Sequence, residues 1–551
     1  LFRSLAVGNT DSTVNNMRSN VITEIILKED LQTNSTSVWL GTGLGVSVII
    51  DSDTVEAIPD TAGLANSLSS SSTETTTNRL PQGGISAMAA GSDGTLFIAF
   101  AGSENDIPVG KGFAFTANAS AFNATDSTIN WTYFNQQIEN SDKPYFEFWQ
   151  FKSEALPITV PHQNVTYDIA LSHQDEDTSY AFTASWAGGL RRLKFKNERN
   201  ANGDVIGLIP IKWERVPLPM DDQFELKTCE LTSYDTVPDP YDPPNEMLII
   251  KDYYFNPRDP IDGGNHNHKV FSILTYGDTI WVGTANGINR GIFGGYSQLF
   301  GYCIDWQHYS YPAYGLSGNF VVGLALQIHK GKRVIWAATV NADDPTEQRG
   351  VSYTNNDGLS WNTTLLGERV YNITAQDSLV FAATANGLWK TEDGINWAKY
   401  KPAQQHIPYS TDEVLANEVY SVAFDTSDNS IWVGTGDGVA HSYDLDGLDW
   451  KIFRAEYDIN ENYAYPNPFS PYTHNVLGGD GYVRFHTNEW SESSEIKIDV
   501  YNFAMEKVFA RSFDRTATSS GALKWNGRDI EGRLVNNGVY FVKLTYPEGY
   551  N

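Results

Sequence analysis

The sequence predicts an all-β protein: a seven-bladed β-propeller followed by a smaller β-sandwich. Three observations carry this. Nearly the same phrase returns along the chain, as "SVWLGTGLGVSV" (37–48), "TIWVGTANGINRG" (279–291), "LVFAATANGLWKT" (379–391) and "SIWVGTGDGVAHS" (430–442). A segment carrying a Trp follows most copies, at Trp131, Trp213, Trp306, Trp361, Trp397 and Trp450. The rhythm then changes after Ala455.

Each copy reads as an alternating apolar segment, a tight turn, a second apolar segment, a Gly turn and a third short segment. Those are period-2 strands joined by hairpins, and the Trp segment makes a fourth strand. Aligning the second strands places Trp39, Phe97, Phe182, Trp281, Trp336, Phe381 and Trp432 in register, which gives seven four-stranded units. The first lacks a clear Trp-bearing fourth strand. Units of this kind stack radially, because one alone cannot cover both of its faces. Small residues after the aromatic, Gly283, Ala338, Ala383 and Gly434, suit strands crowded near an axis. The propeller is expected over 1–455.

These motifs resemble known repeats. "IWVGT-x-x-G" is similar to the propeller repeat of bacterial two-component-regulator sensor proteins. "YTNNDGLSW" (353–361), with "KTEDGINW" and "YDLDGLDW" as weaker copies, resembles the Asp-box of sialidase-like repeats, with Asn356 where Asp is usual. In those families the box is a structural turn, and the resemblance implies that role here.

The last segment, 456–551, alternates through "GYVRFHT", "EIKIDVYNF" and "GVYFVKLTY", with turn signals at Asn526-Gly527 and Asn537-Gly538. This suits an Ig-like β-sandwich. "YPNPF", "IDVYNFAMEKV" and "WNGRDIEGRLVNNGVYFVKL" resemble the carboxy-terminal Ig-like domain shared by flagellar-hook-cap-like proteins and type IX secretion cargo. "NFAMEKV" departs from it where Gly is frequent, and the chain ends at "YPEGYN" without the basic tail such domains often carry. The resemblance implies passage across the outer membrane by secretion machinery, and attachment to or release from the cell surface.

The chain has 551 residues, formal net charge −29 and 13% aromatics. An acidic surface repels phosphate backbones, so nucleic acid is not the expected partner. No apolar run has the length of a membrane span. The chain opens at Leu1, and is expected to be processed or part of a longer protein. Cys229 and Cys303 are its two cysteines. They carry no CxxC spacing, which removes cysteine-ligated zinc, c-type haem and thiol relays. They form either one disulfide or two free thiols.

Most excess length falls in connections from the fourth strand of one unit to the first of the next, about 135–166, 216–269, 310–319 and 401–418. A long second-to-third loop, 340–349, opens on the same face. That face, around the axial mouth, is where a site is expected. Its loops are rich in rings: Tyr145, Phe148 and Trp149, then Tyr253 and Tyr254, then Tyr309, Tyr311 and Tyr314. Such rings stack on sugars, anchor a protein partner, or pack the loops down. "DGGNHNH" (262–268) is the metal candidate: an extended chain would point His266 and His268 the same way, with Asp262 close by. The acidic clusters at 51–53, 343–344 and Asp444/Asp446/Asp449 offer oxygen ligands of the kind calcium takes, though without an EF-hand spacing.

No G-x-S-x-G, P-loop, HExxH or dinucleotide fingerprint occurs, and the arginine pattern of a sialidase is absent. The expectation leans away from catalysis. It is a secreted or surface propeller that binds a glycan or protein, or self-assembles, through the loop-bearing face. The alternative is an extracellular polysaccharide hydrolase with two carboxylates at the mouth. A sensor ectodomain is disfavoured because the Ig-like segment, not a membrane helix, follows the propeller.

Overall fold

The computed structural model describes residues 16–30, 35–50, 54–61, 74–91, 94–117, 119, 129–139, 145–148, 151–173, 178–199, 205–229, 234–239, 244–297, 301–342, 344–400, 417–443, 445, 450–455, 463–465, 467, 469–472, 481–486, 495–514 and 523–545. Regular structure there is strand, apart from the single-turn 3-10 helices Pro260–Asp262 and His266–His268 and a 3-10 conformation at Ala119. No helix among the described residues is long and apolar enough to cross a membrane.

Seven antiparallel sheets, each a four-stranded meander, succeed one another over 22–57, 84–134, 166–215, 270–309, 320–364, 370–400 and 419–453. Two gain a fifth, outer strand: Glu74–Thr77 on the second sheet and Glu225–Lys227 on the fourth. Their first strands are Ile22–Asp30, Gly84–Ala90, Thr166–His173, Val270–Tyr276, Phe320–His329, Val370–Gln376 and Val419–Asp425. Each first strand contacts the next, and the seventh contacts the first. A closed cycle of antiparallel meanders with their first strands innermost is a β-propeller.

The recurring phrase can now be read residue by residue. Its Thr clasps the turn: the hydroxyls of Thr42, Thr284, Thr384 and Thr435 donate to the carbonyls of Gly45, Gly287, Gly387 and Gly438 at 2.7–3.1 Å. The same hydroxyls accept from the amide two residues on, at 3.0–3.2 Å. Those glycines hold φ between +92° and +139°, which a side chain would resist. The Gly before the Thr admits the neighbouring sheet. A Cβ on Gly283 would lie 2.6 Å from the Val321 carbonyl, and one on Gly434 would lie 2.7 Å from Ile22.

The two aromatic signatures meet between sheets. Trp39 lies edge-on to Trp131 at 6.4 Å, Trp281 to Trp361 at 6.1 Å, and Trp336 to Trp397 at 6.4 Å. Phe182 with Trp306, and Phe381 with Trp450, share core clusters in the same way. Trp213 joins the cluster around Phe97 by packing on Phe113 at 5.1 Å. At six joints the second-strand ring of one sheet and the tryptophan of the next thus share a cluster, with ring contact at Trp39, Trp281 and Trp336; Phe97 itself is met from the next sheet by Phe195, edge-on at 5.6 Å. The first sheet has none to offer. Trp432 instead stacks on His441 of its own sheet at 3.8 Å and on Phe453 at 5.8 Å. That last joint is tied by Asn20, whose side-chain oxygen accepts from the Ala455 amide and whose carbonyl accepts from Gly438, both at 2.6 Å.

The turns at 354–360 and 391–396 are closed by side chains. Asn356 accepts from the Ser360 amide at 3.1 Å, and Asp393 accepts from Ile395 and Asn396 at 2.8 and 2.7 Å. These amide bonds hold the Asp393 carboxyl well below the usual range.

Two expected loops contain structure. Strands Tyr145–Phe148, Phe151–Ala155, Glu246–Phe255 and Tyr234–Pro238 form an additional four-stranded sheet. Phe151 runs parallel to Leu248 in it, so the connections 135–166 and 216–269 are joined to each other.

In the last segment two three-stranded sheets share one core of Val483, Ile496, Ile498, Val500, Phe513 and Trp525. The turn after Trp525 is closed by Asp529, which accepts from the amides of Glu531 and Arg533 at 2.9 Å.

Of the two states left open for the cysteines, the structure shows the disulfide: Cys229 and Cys303 are bonded, 74 residues apart in sequence. A Cβ on Gly294 would lie 2.5 Å from either sulfur, so this glycine makes room for the bridge. A loop of that length implies roughly 4 kcal/mol of stabilisation in the chain-entropy account. Replacing both cysteines by Ser is expected to lower the unfolding free energy by about that amount, read from guanidinium denaturation against the oxidised protein.

Candidate functional site

The innermost strands carry a feature repeated in all seven sheets. Each first strand slips by one residue against the second, near its start. The skipped residues are Thr23, Ser86, Tyr167, Phe271, Val322, Tyr371 and Tyr420. A bulge re-aims a side chain out of the regular alternation, and here it does so at the axial mouth of the insert-bearing face. The Thr23 hydroxyl is committed, donating to the Ile85 carbonyl at 2.8 Å. From the third sheet onward the skipped residues are apolar or aromatic, and the rings touch across sheets. Tyr167 meets Phe271 at 5.8 Å, Phe271 meets Phe320 at 5.8 Å, and Tyr371 meets Tyr420 at 5.3 Å. Trp186, on the adjoining turn, packs on Phe271 at 5.5 Å and Phe320 at 6.3 Å. Most of these rings are half-buried and keep part of their surface open, while Phe320 is buried.

Two cations belong to this arc. The Lys269 ammonium sits 4.7 Å from the centre of the Trp186 ring, and the Arg369 guanidinium 5.2 Å from that of Tyr371. Both stand one residue ahead of a first strand, in the fourth and sixth sheets. The fifth sheet has Phe320 in that place and the seventh has Glu418.

Sequence reasoning looked for rings in the inserts and missed this arc. The available signal was an aromatic at the second position of a first strand, as in "VTYDIA", "KVFSIL", "RVYNIT" and "EVYSVA".

The insert aromatics are placed differently. Tyr253 is buried, with its hydroxyl donating to the Leu218 carbonyl at 2.9 Å. Tyr309 is buried against Trp281 and Tyr314, the latter edge-on at 5.0 Å. Tyr311 packs beside them, and its hydroxyl lies 2.7 Å from that of Thr346. Burial corrects the reading of Tyr253 and Tyr309 as surface binding rings: they hold their connections down. Tyr254 is 38% exposed. Tyr145 and Phe148 lie on the strand paired with Phe151–Ala155, and Trp149 is outside the described residues.

The metal candidate also needs correction. His266 to His268 is a 3-10 turn, not an extended chain. Asp221 caps it, accepting from the amides of His266 and Asn267 at 2.9 and 2.7 Å. His268 is fully buried: its Nδ1 accepts from the Asn256 amide at 3.1 Å and its ring stacks on Phe255 at 4.8 Å. His266 lies 3.8 Å from Asp259, and Asp262 is exposed. No group of three or more His, Cys, Asp or Glu side chains among the described residues could hold a metal ion. Residues 51–53, Asp343, Asp444, Asp446 and Asp449 lie outside the described residues.

Buried polar side chains fasten the inserts beside the mouth. Glu139, from the first insert, receives Arg191 at 3.2 Å, Arg215, and the Ile158 amide at 2.9 Å. Burial pushes its carboxyl up, but the two guanidiniums and the amide outweigh that and bring it below the usual range. Asn267 is clasped by Thr284 and Asn289, both at 2.8 Å. Glu347 accepts from the Asn319 amide at 3.1 Å and from the Asn319 side chain at 3.0 Å, closing the 340–349 loop.

These contacts generate two expectations. Glu139→Ala strands two buried guanidiniums, and is expected to cost about 3–5 kcal/mol in denaturant unfolding. Acid is expected to weaken the fold through three histidines. Burial depresses His268 to about 3, and His308 and His441 to about 4. A depressed histidine contributes fully above its unfolded value of about 6.5. The contribution is lost as pH falls from there toward the folded value. The denaturation midpoint should therefore drop between pH 7 and pH 4.5, and His441→Phe should flatten part of that slope.

No protein-family model and no curated protein matches the chain. Among solved structures it is similar to the BP39L lectin from Burkholderia pseudomallei, at 13% identity over 79% of this chain and 98% of that one, with a TM-score of 0.38. It is similar to YCF48 from Cyanidioschyzon merolae, at 11% identity over 79% and 96%, with a TM-score of 0.36. The β-propeller domain of Cps50 (Swd1) from Myceliophteria thermophila gives 10% identity over 77% and 95%, with a TM-score of 0.36. At that level no function carries over from these proteins to this chain.

Proposed function

We propose that this chain is a secreted or cell-surface, non-catalytic propeller of seven blades that binds a glycan or a protein, or a second copy of itself, through its insert-bearing face. The observation that carries the reading is the arc of rings at the axial mouth. Rings at and beside the bulges of the innermost strands pack on one another across sheets, and most stay half-buried. Rings held by a rigid scaffold give contact area with little ordering cost on binding. The disulfide supports export, because such bonds persist in oxidising compartments. The final two-sheet segment, 456–551, is read as an Ig-like domain serving passage through outer-membrane secretion machinery or surface attachment.

The test is a glycan-array screen of the full chain, with and without calcium, followed by product analysis of every bound glycan. Binding without cleavage is expected, and Tyr371→Ala or Tyr420→Ala should weaken it about tenfold or more, the scale of a lost aromatic anchor. Cleavage would overturn the non-catalytic reading in favour of a hydrolase. A silent array moves the same tyrosine variants to a screen for protein partners and self-association. Binding indifferent to both tyrosines would remove the mouth from the account.

A further inference from the structure

The arc of rings contains one cation whose bonding capacity is unspent. The Arg369 guanidinium is half-buried over Tyr371. Among the described residues no carboxylate or carbonyl accepts from it. Its chain neighbour Glu368 is turned to the Asn386 side chain at 3.0 Å. Glu418, at the same place in the next sheet, forms no ion pair with it. Lys269 differs, being buried and with further partners besides the Trp186 ring. A guanidinium presents a rigid fork of donors matched to a carboxylate, and this fork stands beside the Tyr371–Tyr420 pair.

We propose that Arg369, Tyr371 and Tyr420 form an anion-reading subsite at the axial mouth, which takes an acidic saccharide by stacking a sugar ring on the tyrosines and receiving its carboxylate on the guanidinium. This rests on the reading of the mouth as a binding site and names the ligand class. The chain's surplus of acid opposes an anion at long range. That field is screened over about 8 Å at physiological ionic strength, whereas a charge pair at contact is not.

The test pairs two probes of equal shape: an oligogalacturonate and its fully methyl-esterified form, each titrated calorimetrically into the full chain. The acid form should bind about 10- to 100-fold more tightly, the range of a hydrogen bond to a charged group. Arg369→Gln should abolish that preference, bringing the acid form's affinity down to that of the ester. Arg369→Lys should restore it in part, because the charge returns without the fork. Thermal unfolding of each variant checks the fold. Equal binding of acid and ester, a preference that survives Arg369→Gln, or no binding of either at millimolar concentration overturns the proposal. If a neutral ligand is lost on Tyr371→Ala but not on Arg369→Gln, the mouth remains a binding site and only the acidic class falls. If no ligand responds to either tyrosine, both readings fall.

Discussion

The structure depends on one repeated contact: the second-strand ring of each sheet against the tryptophan of the next. A single four-stranded meander leaves both faces bare. Here each face is closed only by a neighbour, so no sheet is complete alone and stability is shared around the cycle. The exception shows the same rule. The first sheet brings no tryptophan to the last joint; its Val38, Leu40 and Ile49 pack in the cluster around Trp432, and His441 of the seventh sheet stacks on the same ring. That solution buries an imidazole whose two nitrogens have no hydrogen-bond partner among the described residues. It also puts a titratable group at the joint where the chain's two ends of the propeller meet, with Asn20 bridging them.

Much of this was legible in the sequence, for a physical reason. Each position of "W-V-G-T-x-x-G" does a separate local task. The ring covers a neighbour, the small residue admits its first strand, the Thr clasps the turn and the final Gly takes the positive φ. Local tasks leave local signatures, and four copies of the whole phrase, with the ring and small residue in all seven sheets, made them visible. The additional sheet left none. Phe151 pairs with Leu248 across almost a hundred residues, and nothing in either stretch names the other. The histidines misled for a related reason. "HNH" has ligand-like spacing in an extended chain, but Asp221, far upstream, folds it into a 3-10 turn by accepting two of its amides.

The aromatic inserts misled in a more instructive way. A connection as long as 216–269 has backbone and side chains enough to require a core of its own, and its rings go there first. Tyr253 completes the cluster holding Phe255 and His268, and Tyr309 completes the one holding Trp281 and Trp361. For Tyr253 and Tyr309, aromatic richness measured how much the chain there needed to be held.

The residues that do face the mouth are constrained differently. A bulged residue stands outside the ladder, so its side chain is released from the alternation that fills the joints between sheets. It can be Thr, Ser, Val, Phe or Tyr without disturbing the ring–tryptophan contacts, and across the seven sheets it is each of these. Positions tied to packing repeat their chemistry around the cycle: an aromatic and a small residue in all seven sheets, and a Thr in five. The bulged positions break that symmetry, with hydroxyls over the first two sheets and rings over most of the rest. Symmetry held by packing and broken at one layer locates where the scaffold is free to be specific. In this chain that layer is the axial mouth, where Arg369 beside Tyr371 stands between Phe320 and Glu418 at the same place in the adjoining sheets.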